Sequence, residues 1–404
     1  MQPFDPDAPL PPAPEPWTGS PTPPTRPGSP YHMTEMIQAE PALARRILDR
    51  LAEPGSPAGR LAAAVRTTAA SGRPIVVVGC GTSEHGALAV VDILREAGRA
   101  AGLPSGFGEG GSPVAGQAFE GSLEGSLAGP GALVIGVSHE GGTWATNRVL
   151  GSAGEAGATV ALISASAGSP GAGLADIVVA TEELDQSWCH TIGYLSPILV
   201  ATAVGAHLSG NPVDPEAVAA LLAAGLVEPA SAAEDGLAAR LAVAAHLLVL
   251  GSGVDRTAAR ELTLKIEEGA HIPAAMRDLE TMLHGHLAAT DTHTGLVLVL
   301  TDPAARGARV ARAVAVLRAC REIGILVGMI VSEIASREID VALTPAGRIL
   351  VPDAPSLPGP VAALIGTAVP LQRLALSLAI ERGVDPDPIR RDDPHYLAAA
   401  DVAG

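Results

Sequence analysis

The sequence of 404 residues is poor in aromatic residues and contains a single lysine. Only 2% of the residues are Phe, Trp or Tyr although 47% are hydrophobic, so the core must be built from Ala, Val, Leu and Ile. Such side chains suit helices packed closely on parallel strands. Lys265 is the only lysine among 26 lysine and arginine residues, which makes it a candidate for a position that needs a compact ammonium group.

Other absences argue against whole classes of protein. The net charge is −17 and no basic run is present, so neither nucleic acid nor an anionic membrane is expected as a partner. Cys80, Cys189 and Cys320 are widely spaced and match neither a disulfide framework nor a zinc motif, which indicates a reducing compartment. The first thirty residues show no signal-peptide pattern, and apolar runs such as Ile75–Gly79 have the length of a strand. We therefore expect a cytoplasmic protein.

The chain alternates short apolar runs with helical segments. Residues 1–30 are rich in proline and lack periodicity, which predicts a disordered arm. Residues 31–212 and 213–384 repeat the same strand–helix alternation, and residues 385–404 form a tail. The pattern predicts an α/β protein of two tandem units, each a three-layer, doubly wound and mostly parallel sheet of the flavodoxin-like kind.

A glycine-rich turn follows the first buried strand. The segment 75–85 reads Ile-Val-Val-Val-Gly-Cys-Gly-Thr-Ser-Glu-His. Gly81 permits a tight turn, Thr82 and Ser83 add hydroxyl groups, and the free N–H groups that begin the helix suit an anion or a sugar oxygen. The alternative is an ordinary helix cap by Ser83. A dinucleotide site is less favoured because the segment lacks the Gly-x-Gly-x-x-Gly pattern.

A second turn of this kind, Ser138-His-Glu-Gly-Gly-Thr143, follows a later strand. Hydroxyl-lined turns after neighbouring parallel strands meet at one edge of a sheet, where doubly wound proteins bind ligands. Ser138, His139, Glu140 and Thr143 are therefore candidate binding residues.

Charged residues recur at helical spacing in the second unit. Glu261, Lys265 and Glu268 are four and three residues apart, so they share one face of a predicted helix over 256–269. Glu261 is a candidate substrate-binding residue on this face. This pattern is also typical of a surface ion-pair stripe. Here Leu262 and Ile266 surround it, and a carboxylate beside apolar side chains has a raised pKa and can serve as a base.

A histidine-rich segment comes next, with His284, His286, Asp291 and His293. No carboxylate pair or cysteine set completes a metal site, so we expect neither a metal nor another cofactor. Histidines near a glutamate base are better interpreted as proton shuttles.

Together these segments resemble the sugar-isomerase (SIS) family. The resemblance runs from about Tyr31 to Asp387 and is greatest to the isomerase half of glucosamine-6-phosphate synthase and its deaminase and deglycase relatives. The family's substrate turn is similar to residues 79–83, its phosphate turn to 138–143, its Glu-x-x-x-Lys-x-x-Glu helix to 261–268, and its His-Gly pair to 284–285.

The resemblance implies roles for these residues. Glu268 would move a proton between C1 and C2 of a sugar, and Lys265 would tune it and hold the substrate's polar edge. His284 would open the sugar ring from the second subunit of a homodimer with a shared active site. A sugar or sugar phosphate would be held at its far end by Ser83, Ser138 and Thr143.

Three departures from the family pattern limit these implications. No amide-transfer half with an N-terminal cysteine is seen, so no glutaminase activity is expected. Glu140 stands where the family's phosphate turn has a second serine, so either its side chain points away, or the substrate lacks a phosphate there, or it carries an amine. The C-terminal Schiff-base lysine is missing, and His395 or Arg390 is expected to enter the site instead.

Three functions remain open on the sequence alone. The leading hypothesis is an aldose–ketose isomerase or amino-sugar deaminase that uses Glu268 as acid and base. The second is a sugar-binding regulator without turnover, and the third is a partner subunit of a separate ammonia-supplying protein.

Overall fold

The computed structural model describes residues 4–403 except 20, 107 and 125–127. Two five-stranded parallel sheets form its framework. The first has the order β2-β1-β3-β4-β5 and the second the order β10-β9-β8-β6-β7. Both orders are the flavodoxin-like 2-1-3-4-5 pattern, which confirms the predicted α/β fold of two doubly wound units. The strands are β1 Ile75–Gly79, β2 Pro113–Gln117, β3 Leu133–Val137, β4 Thr159–Ser164, β5 Ile177–Ala180, β6 His246–Gly251, β7 Ala274–Asp278, β8 Thr294–Leu300, β9 Leu326–Ser332 and β10 Gly347–Val351.

Helices cover both faces of each sheet. In chain order they are α1 His32–Leu51, α2 Pro57–Ala70, α3 Thr82–Ala100, α4 Ala118–Leu123, α5 Trp144–Glu155, α6 Ile192–Ser209, α7 Pro215–Ala224, α8 Ala230–Leu241, α9 Asp255–Lys265, α10 Arg306–Ile323, α11 Glu333–Arg337, α12 Gly359–Arg382 and α13 Pro394–Ala403. The second unit begins with two helices, α7 and α8, which are separated at residues 225–229. The edge strands β2 and β7 were not predicted, because their partly exposed residues lack a continuous apolar run.

One hydrophobic core is shared by the two units. It contains inner-face residues of the central strands of both sheets, and helices such as α1, α6 and α12 supply the rest. The outer faces have separate cores, one under α5 in the first unit and one under α10 in the second. Because α3 packs on α9 and α12, the end of β1 is brought next to the second unit.

Two helices, α6 and α12, are long and apolar enough to cross a membrane. Their most apolar windows are 83% and 89% buried within the protein. A buried core helix has the same length and composition, so these two segments are weak evidence for membrane insertion.

The proline-rich arm differs from the disordered segment that composition predicts. Its residues 4–19 lie along the first unit, where the N–H of Leu10 donates to Glu183 at 2.8 Å and the carbonyl of Pro11 accepts from Leu184 at 2.9 Å. Arg46 binds both the carbonyl of Asp7 and the Glu183 carboxylate. Backbone groups of the arm are thus paired with side-chain and backbone groups of the folded unit.

The tail is fixed at the start of α1. Asp387 is fully buried, and its two carboxylate oxygens accept the N–H groups of His32 at 2.7 Å and Met33 at 2.8 Å. Its carbonyl accepts the N–H of Trp188 at 3.0 Å. An anion at the positive end of a helix is favourable, so the tail is held where it leaves the second unit.

Glu40 provides a test of this packing. Its side chain on α1 is fully buried, and burial raises its pKa well above the ordinary value of 4.5, while Gln372 partly offsets the shift. The native state therefore keeps a proton that the unfolded chain releases above about pH 4.5, so this group makes stability fall as pH rises. We expect Glu40→Gln to increase the free energy of unfolding relative to wild type, with a difference that grows by up to about 1.4 kcal/mol per pH unit above that pH.

Denaturant unfolding between pH 5 and pH 8 measures this difference. Glu53→Gln, at an exposed position, is the matched control and should show no such growth. A constant difference between Glu40→Gln and wild type over the whole range would contradict the assignment.

Candidate active site

A cavity of about 470 Å³ lies at the carboxyl ends of β1 and β3. These neighbouring strands are the topological switch point of the first sheet, where chain connections leave in opposite directions. The cavity is lined by both predicted turns, the second unit, the N-terminal arm and the C-terminal tail. The lining residues are Trp17, Cys80, Gly81, Thr82, Ser83, His139, Glu140, Gly142, Thr143, Trp188, His190, Glu268, Ile389 and Arg391. The structure thus brings Glu268 to the same cavity as Gly81, Thr82, Ser83, His139, Glu140 and Thr143.

The turn after β1 depends on two glycines. A Cβ on Gly79 would lie 2.3 Å from the carbonyl oxygen of Ser83, so no larger residue fits there. Gly81 has a φ of 58°, in the region that favours glycine, and a Cβ there would meet nothing within 4 Å. The turn is therefore tight and also open toward the cavity.

The turn after β3 uses its hydroxyl groups internally. Ser138 Oγ lies 3.2 Å from Thr143 Oγ1 and accepts the N–H of Gly141 at 3.2 Å. Ser138 is 1% exposed and does not line the cavity, unlike Thr143. From the arm, Trp17 covers the turn, because its indole N–H donates to the carbonyl of Glu140 at 3.0 Å and its ring occupies the space beside Gly142.

Lys265 joins two carboxylates on the second unit. Its Nζ lies 2.6 Å from Glu268 Oε2 and 3.5 Å from Glu261 Oε1. The side chains of Lys265 and Glu261 are fully buried, whereas Glu268 is 24% exposed, so Glu268 alone of the three lines the cavity. The interpretation of these residues as a surface stripe is therefore wrong.

Glu261 connects this group to the first unit. Its Oε2 lies 2.7 Å from His85 Nδ1, and its Oε1 accepts the Thr82 hydroxyl at 3.3 Å. Burial alone would raise the pKa of Glu261, but Lys265, His85 and Thr82 together hold it below the ordinary value. Glu261 is thus an anion at neutral pH, and it ties the turn after β1 to α9. His85 belongs to the turn motif, but its contact with Glu261 depends on the fold and could not be predicted from the motif.

The two other ionisable groups respond differently to burial. Burial would lower the pKa of Lys265, but Glu268 and Glu261 raise it above the ordinary value, so it stays charged. Burial raises the pKa of Glu268 above 4.5 although Lys265 opposes the shift. A carboxylate with a raised pKa, facing a cavity, is suited to accept and return a proton near neutral pH.

The helix changes its winding where Glu268 lies. The predicted helix over 256–269 is α-helical only to Lys265, and Ile266–Ala270 form one turn of π-helix that ends at His271, with φ 55°. Single π-turns are frequent at functional sites.

Two neutral histidines line the cavity beside the β3 turn. Burial lowers the pKa of His139 to about 4 and that of His190 well below its ordinary value. The N–H of Asp185 donates to His139 Nε2 at 2.9 Å, which leaves the proton of the neutral ring on Nδ1. His190, 5.2 Å from His139 between ring centroids, gave no motif in the sequence.

No protein-family model matches the sequence, and no curated protein sequence matches it. Solved structures do match it. The C-terminal domain of glucosamine-fructose-6-phosphate aminotransferase from Francisella tularensis has a TM-score of 0.74 at 18% identity, with 90% of this chain and 99% of that chain covered. Tagatose-6-phosphate ketose/aldose isomerase from Escherichia coli has 0.67 at 16% identity, with 91% and 97% covered. Glucosamine-6-phosphate deaminase from Thermotoga maritima has 0.59 at 14% identity, with 88% and 96% covered.

The chain has the tandem sugar-isomerase fold. The resemblance noted in the sequence is thus confirmed at the level of the fold, while identities below 25% leave substrate and activity to be argued from the site.

Within this sugar-isomerase fold, the second unit repeats the first unit's turn but fills it. A Cβ on Gly251 would lie 2.5 Å from the carbonyl oxygen of Asp255, and Gly253 has a φ of 64°, as in the turn after β1. Here, however, a Cβ on Gly253 would lie 2.2 Å from Arg309 Nη2 and 2.3 Å from Asp302 Oδ2. These two side chains form an ion pair, with 2.8 Å between Arg309 Nη1 and Asp302 Oδ2. The second unit's turn is therefore filled by side chains of the same unit, and of the two turns only the one after β1 is open.

His284 lies outside the cavity in the single chain. Its side chain is 68% exposed and its Nε2 lies 2.8 Å from Glu280 Oε1. An exposed position is what a residue offered to a second subunit requires, so the role of His284 stays a prediction.

In the described part of the chain, no group of three or more His, Cys, Asp or Glu side chains could hold a metal ion.

The tail reaches the cavity through a residue other than those expected. Arg390 lies against His271 and Tyr396 outside the cavity, and neither it nor His395 is among the lining residues. Arg391 and Ile389 line it instead. The expectation that His395 or Arg390 enters the site is therefore wrong. Ile389 and Arg390 both have a positive φ, so the chain changes direction there and Arg391 lines the cavity in place of Arg390.

Replacement of the buried lysine tests the network. Lys265→Met leaves the buried carboxylate of Glu261 without its ammonium partner, and removal of one member of a buried ion pair typically costs about 3–5 kcal/mol. We expect that loss in the free energy of unfolding measured in urea at pH 7. In the double variant Glu261→Gln/Lys265→Met part of the loss should be recovered, because the uncompensated charge is gone. A Lys265→Met cost below about 1 kcal/mol would place the lysine in a solvated setting.

Proposed function

We propose that the chain is an enzyme of the sugar isomerase or amino-sugar deaminase class, in which Glu268 moves a proton between C1 and C2 of an open-chain sugar. The observation that carries the proposal is the position of Glu268, which lines the cavity formed by the first unit's turns and is bound from behind by a buried lysine. The solved structures with this fold include an aldose–ketose isomerase and an amino-sugar deaminase by their names, which supports the same class.

Glu268 acts first as base and then as acid. It removes the proton from C2 of the aldose or amino sugar to give an enediol or enaminol, and it returns the proton at C1. Because the pKa of Glu268 is raised, its carboxylate is a stronger base than an ordinary carboxylate and can hold the proton closer to neutral pH. Lys265 stabilises the carboxylate form. For a 2-amino sugar, protonation of the enaminol at C1 gives an imine at C2. Water adds to this imine and ammonia leaves, which yields the ketose.

Imine formation by the protein is not part of this route. Lys265 is the only lysine of the sequence, and its Nζ is fully buried, protonated and bound to two carboxylates. An amine nucleophile must be neutral and accessible. The nitrogen chemistry therefore depends on an amine that the substrate already carries.

Exchange of the C2 proton tests the proposed base. In heavy water, wild-type protein should incorporate deuterium at C2 of an aldose such as glucosamine 6-phosphate or at C1 of a ketose such as fructose 6-phosphate, and Glu268→Gln should lower the rate about 10²- to 10⁴-fold. Because the pKa of Glu268 is raised, the rate should fall on the acid side with a midpoint above 4.5. Glu267→Gln, at the exposed neighbouring carboxylate, is the control. Sugar binding without exchange in wild type would favour the regulatory alternative.

A shared site in a homodimer is the second part of the proposal. The exposed position of His284, away from the cavity of its own chain, supports its donation to a second copy that uses it in ring opening. Glu268→Gln and His284→Ala should each be inactive alone. After mixing and refolding together they should regain about a quarter of wild-type activity, because half of the dimers are mixed and each has one intact site. Mixtures as inactive as their components would show that Glu268 and His284 act in the same chain.

A further inference from the structure

The cavity contains one strongly basic side chain. Among the described residues that line it, Arg391 is the only lysine or arginine, while Glu140 and Glu268 contribute carboxylates. His139 and His190 have lowered pKa values and are neutral near pH 7. Lys265 is behind Glu268 and does not reach the cavity. Among the described residues that line the cavity, a substrate anion would therefore meet a full positive side-chain charge only at Arg391, where the tail crosses the cavity.

Arg391 is held by an aromatic ring and not by a carboxylate. Its guanidinium carbon lies 4.8 Å from the centroid of the Trp188 ring, a cation–π arrangement. Asp392 and Asp393 follow it directly in the sequence, but neither forms an ion pair with it. Stacking on an indole leaves the N–H edge of the guanidinium available for a planar or tetrahedral oxoanion.

The backbone before Arg391 is fixed in an unusual conformation. Ile389 and Arg390 both have positive φ, 44° and 64°, which is rare for a non-glycine residue and unfavourable for a β-branched one. Such conformations persist where the surroundings over-determine them, and they cluster at functional sites. Here the buried Asp387, bound to the start of α1 and to Trp188, anchors the segment that ends in Arg391.

The turn after β3 is a poor alternative for the anion. Ser138 Oγ is engaged with Thr143 and Gly141, and the serine does not line the cavity. Glu140 adds a carboxylate at this turn, and Trp17 covers it from the arm. The charges and hydrogen bonds at this turn therefore oppose an anion, whereas those at the tail favour one.

We propose that Arg391, stacked on Trp188, determines substrate specificity by binding an oxoanion of the substrate, a phosphate or a carboxylate, at the tail side of the cavity. The substrate would then be an acidic sugar whose anion lies at the tail while its C1–C2 edge faces Glu268. The inference rests on the proposed function for the substrate's identity as a sugar.

Binding measurements on paired ligands test this site. The probes are inorganic phosphate alone, glucosamine 6-phosphate against glucosamine, and glucuronate against glucose, each titrated calorimetrically into the full chain. Arg391→Gln should weaken binding of the anionic ligands that wild type binds by about 10- to 100-fold, as expected for loss of a hydrogen-bonded charge, and should leave the neutral sugars within about twofold. Arg391→Lys should retain part of the affinity, because it keeps the charge without the planar fork.

Two further variants act as controls. Arg390→Gln removes a neighbouring guanidinium that lies outside the cavity, so it should bind every probe as wild type does. Glu140→Ser restores a serine to the turn after β3. If Glu140→Ser strengthens phosphate binding while Arg391→Gln leaves it unchanged, the anion lies at that turn and the inference is overturned. It is also overturned if wild type binds none of the anionic probes.

The two proposals fail in different ways. Anion binding that depends on Arg391, without C2 exchange for any sugar, would leave the subsite in place and reject the proposed function. Exchange that proceeds in Arg391→Gln with an unchanged KM would reject the subsite and keep the proposed function. A preference between the phosphate and the carboxylate sugar identifies which oxoanion the site takes.

Discussion

The candidate active site depends on one fully buried ammonium group, that of Lys265, which lies between two carboxylates. Lys265 on the second unit binds Glu261, which lies away from the cavity, and Glu268, which lines it. Glu261 in turn is hydrogen-bonded to Thr82 and His85 on α3 of the first unit. Buried charges are costly unless they are paired and hydrogen-bonded, so this network has few alternative geometries. It fixes the angle between the units and at the same time aims one carboxylate into the cavity. The one lysine of the sequence lies here, where its compact ammonium group with three donors binds both carboxylates.

Duplication of the fold explains why only one of two similar turns is open. Gly79 and Gly81 have the same steric and conformational constraints as Gly251 and Gly253. The difference lies in what surrounds them, since Arg309 and Asp302 occupy the second turn with an internal ion pair. The second unit contributes Glu268 and not a cradle, so the cavity is lined by both units and neither unit contains it alone. This division is consistent with ligand binding at the switch point of a doubly wound sheet.

Much of the fold was predictable because buried parallel strands are continuous apolar runs and the helices between them are periodic. Glu261, Lys265 and Glu268 were predictable because helix geometry alone brings positions four and three residues apart together. Residues that approach from distant segments were not predictable in this way. Trp17, Trp188, His190 and Arg391 belong to segments without periodicity, and their place in the cavity depends on how the arm and the tail are anchored. One signal was present in the composition: two of three tryptophans of a chain so poor in aromatic residues line one cavity.

The central claim is that a sugar bound in this cavity presents its C1–C2 edge to Glu268. A crystal structure of the inactive Glu268→Gln variant with a bound sugar phosphate would test it most directly. The account predicts that the side-chain amide introduced at position 268 lies within hydrogen-bonding reach of the C1 and C2 substituents, with the sugar against the turn that contains Gly81 and Ser83. A sugar bound in another cavity, or in this one with C1 and C2 turned away from position 268, would contradict it.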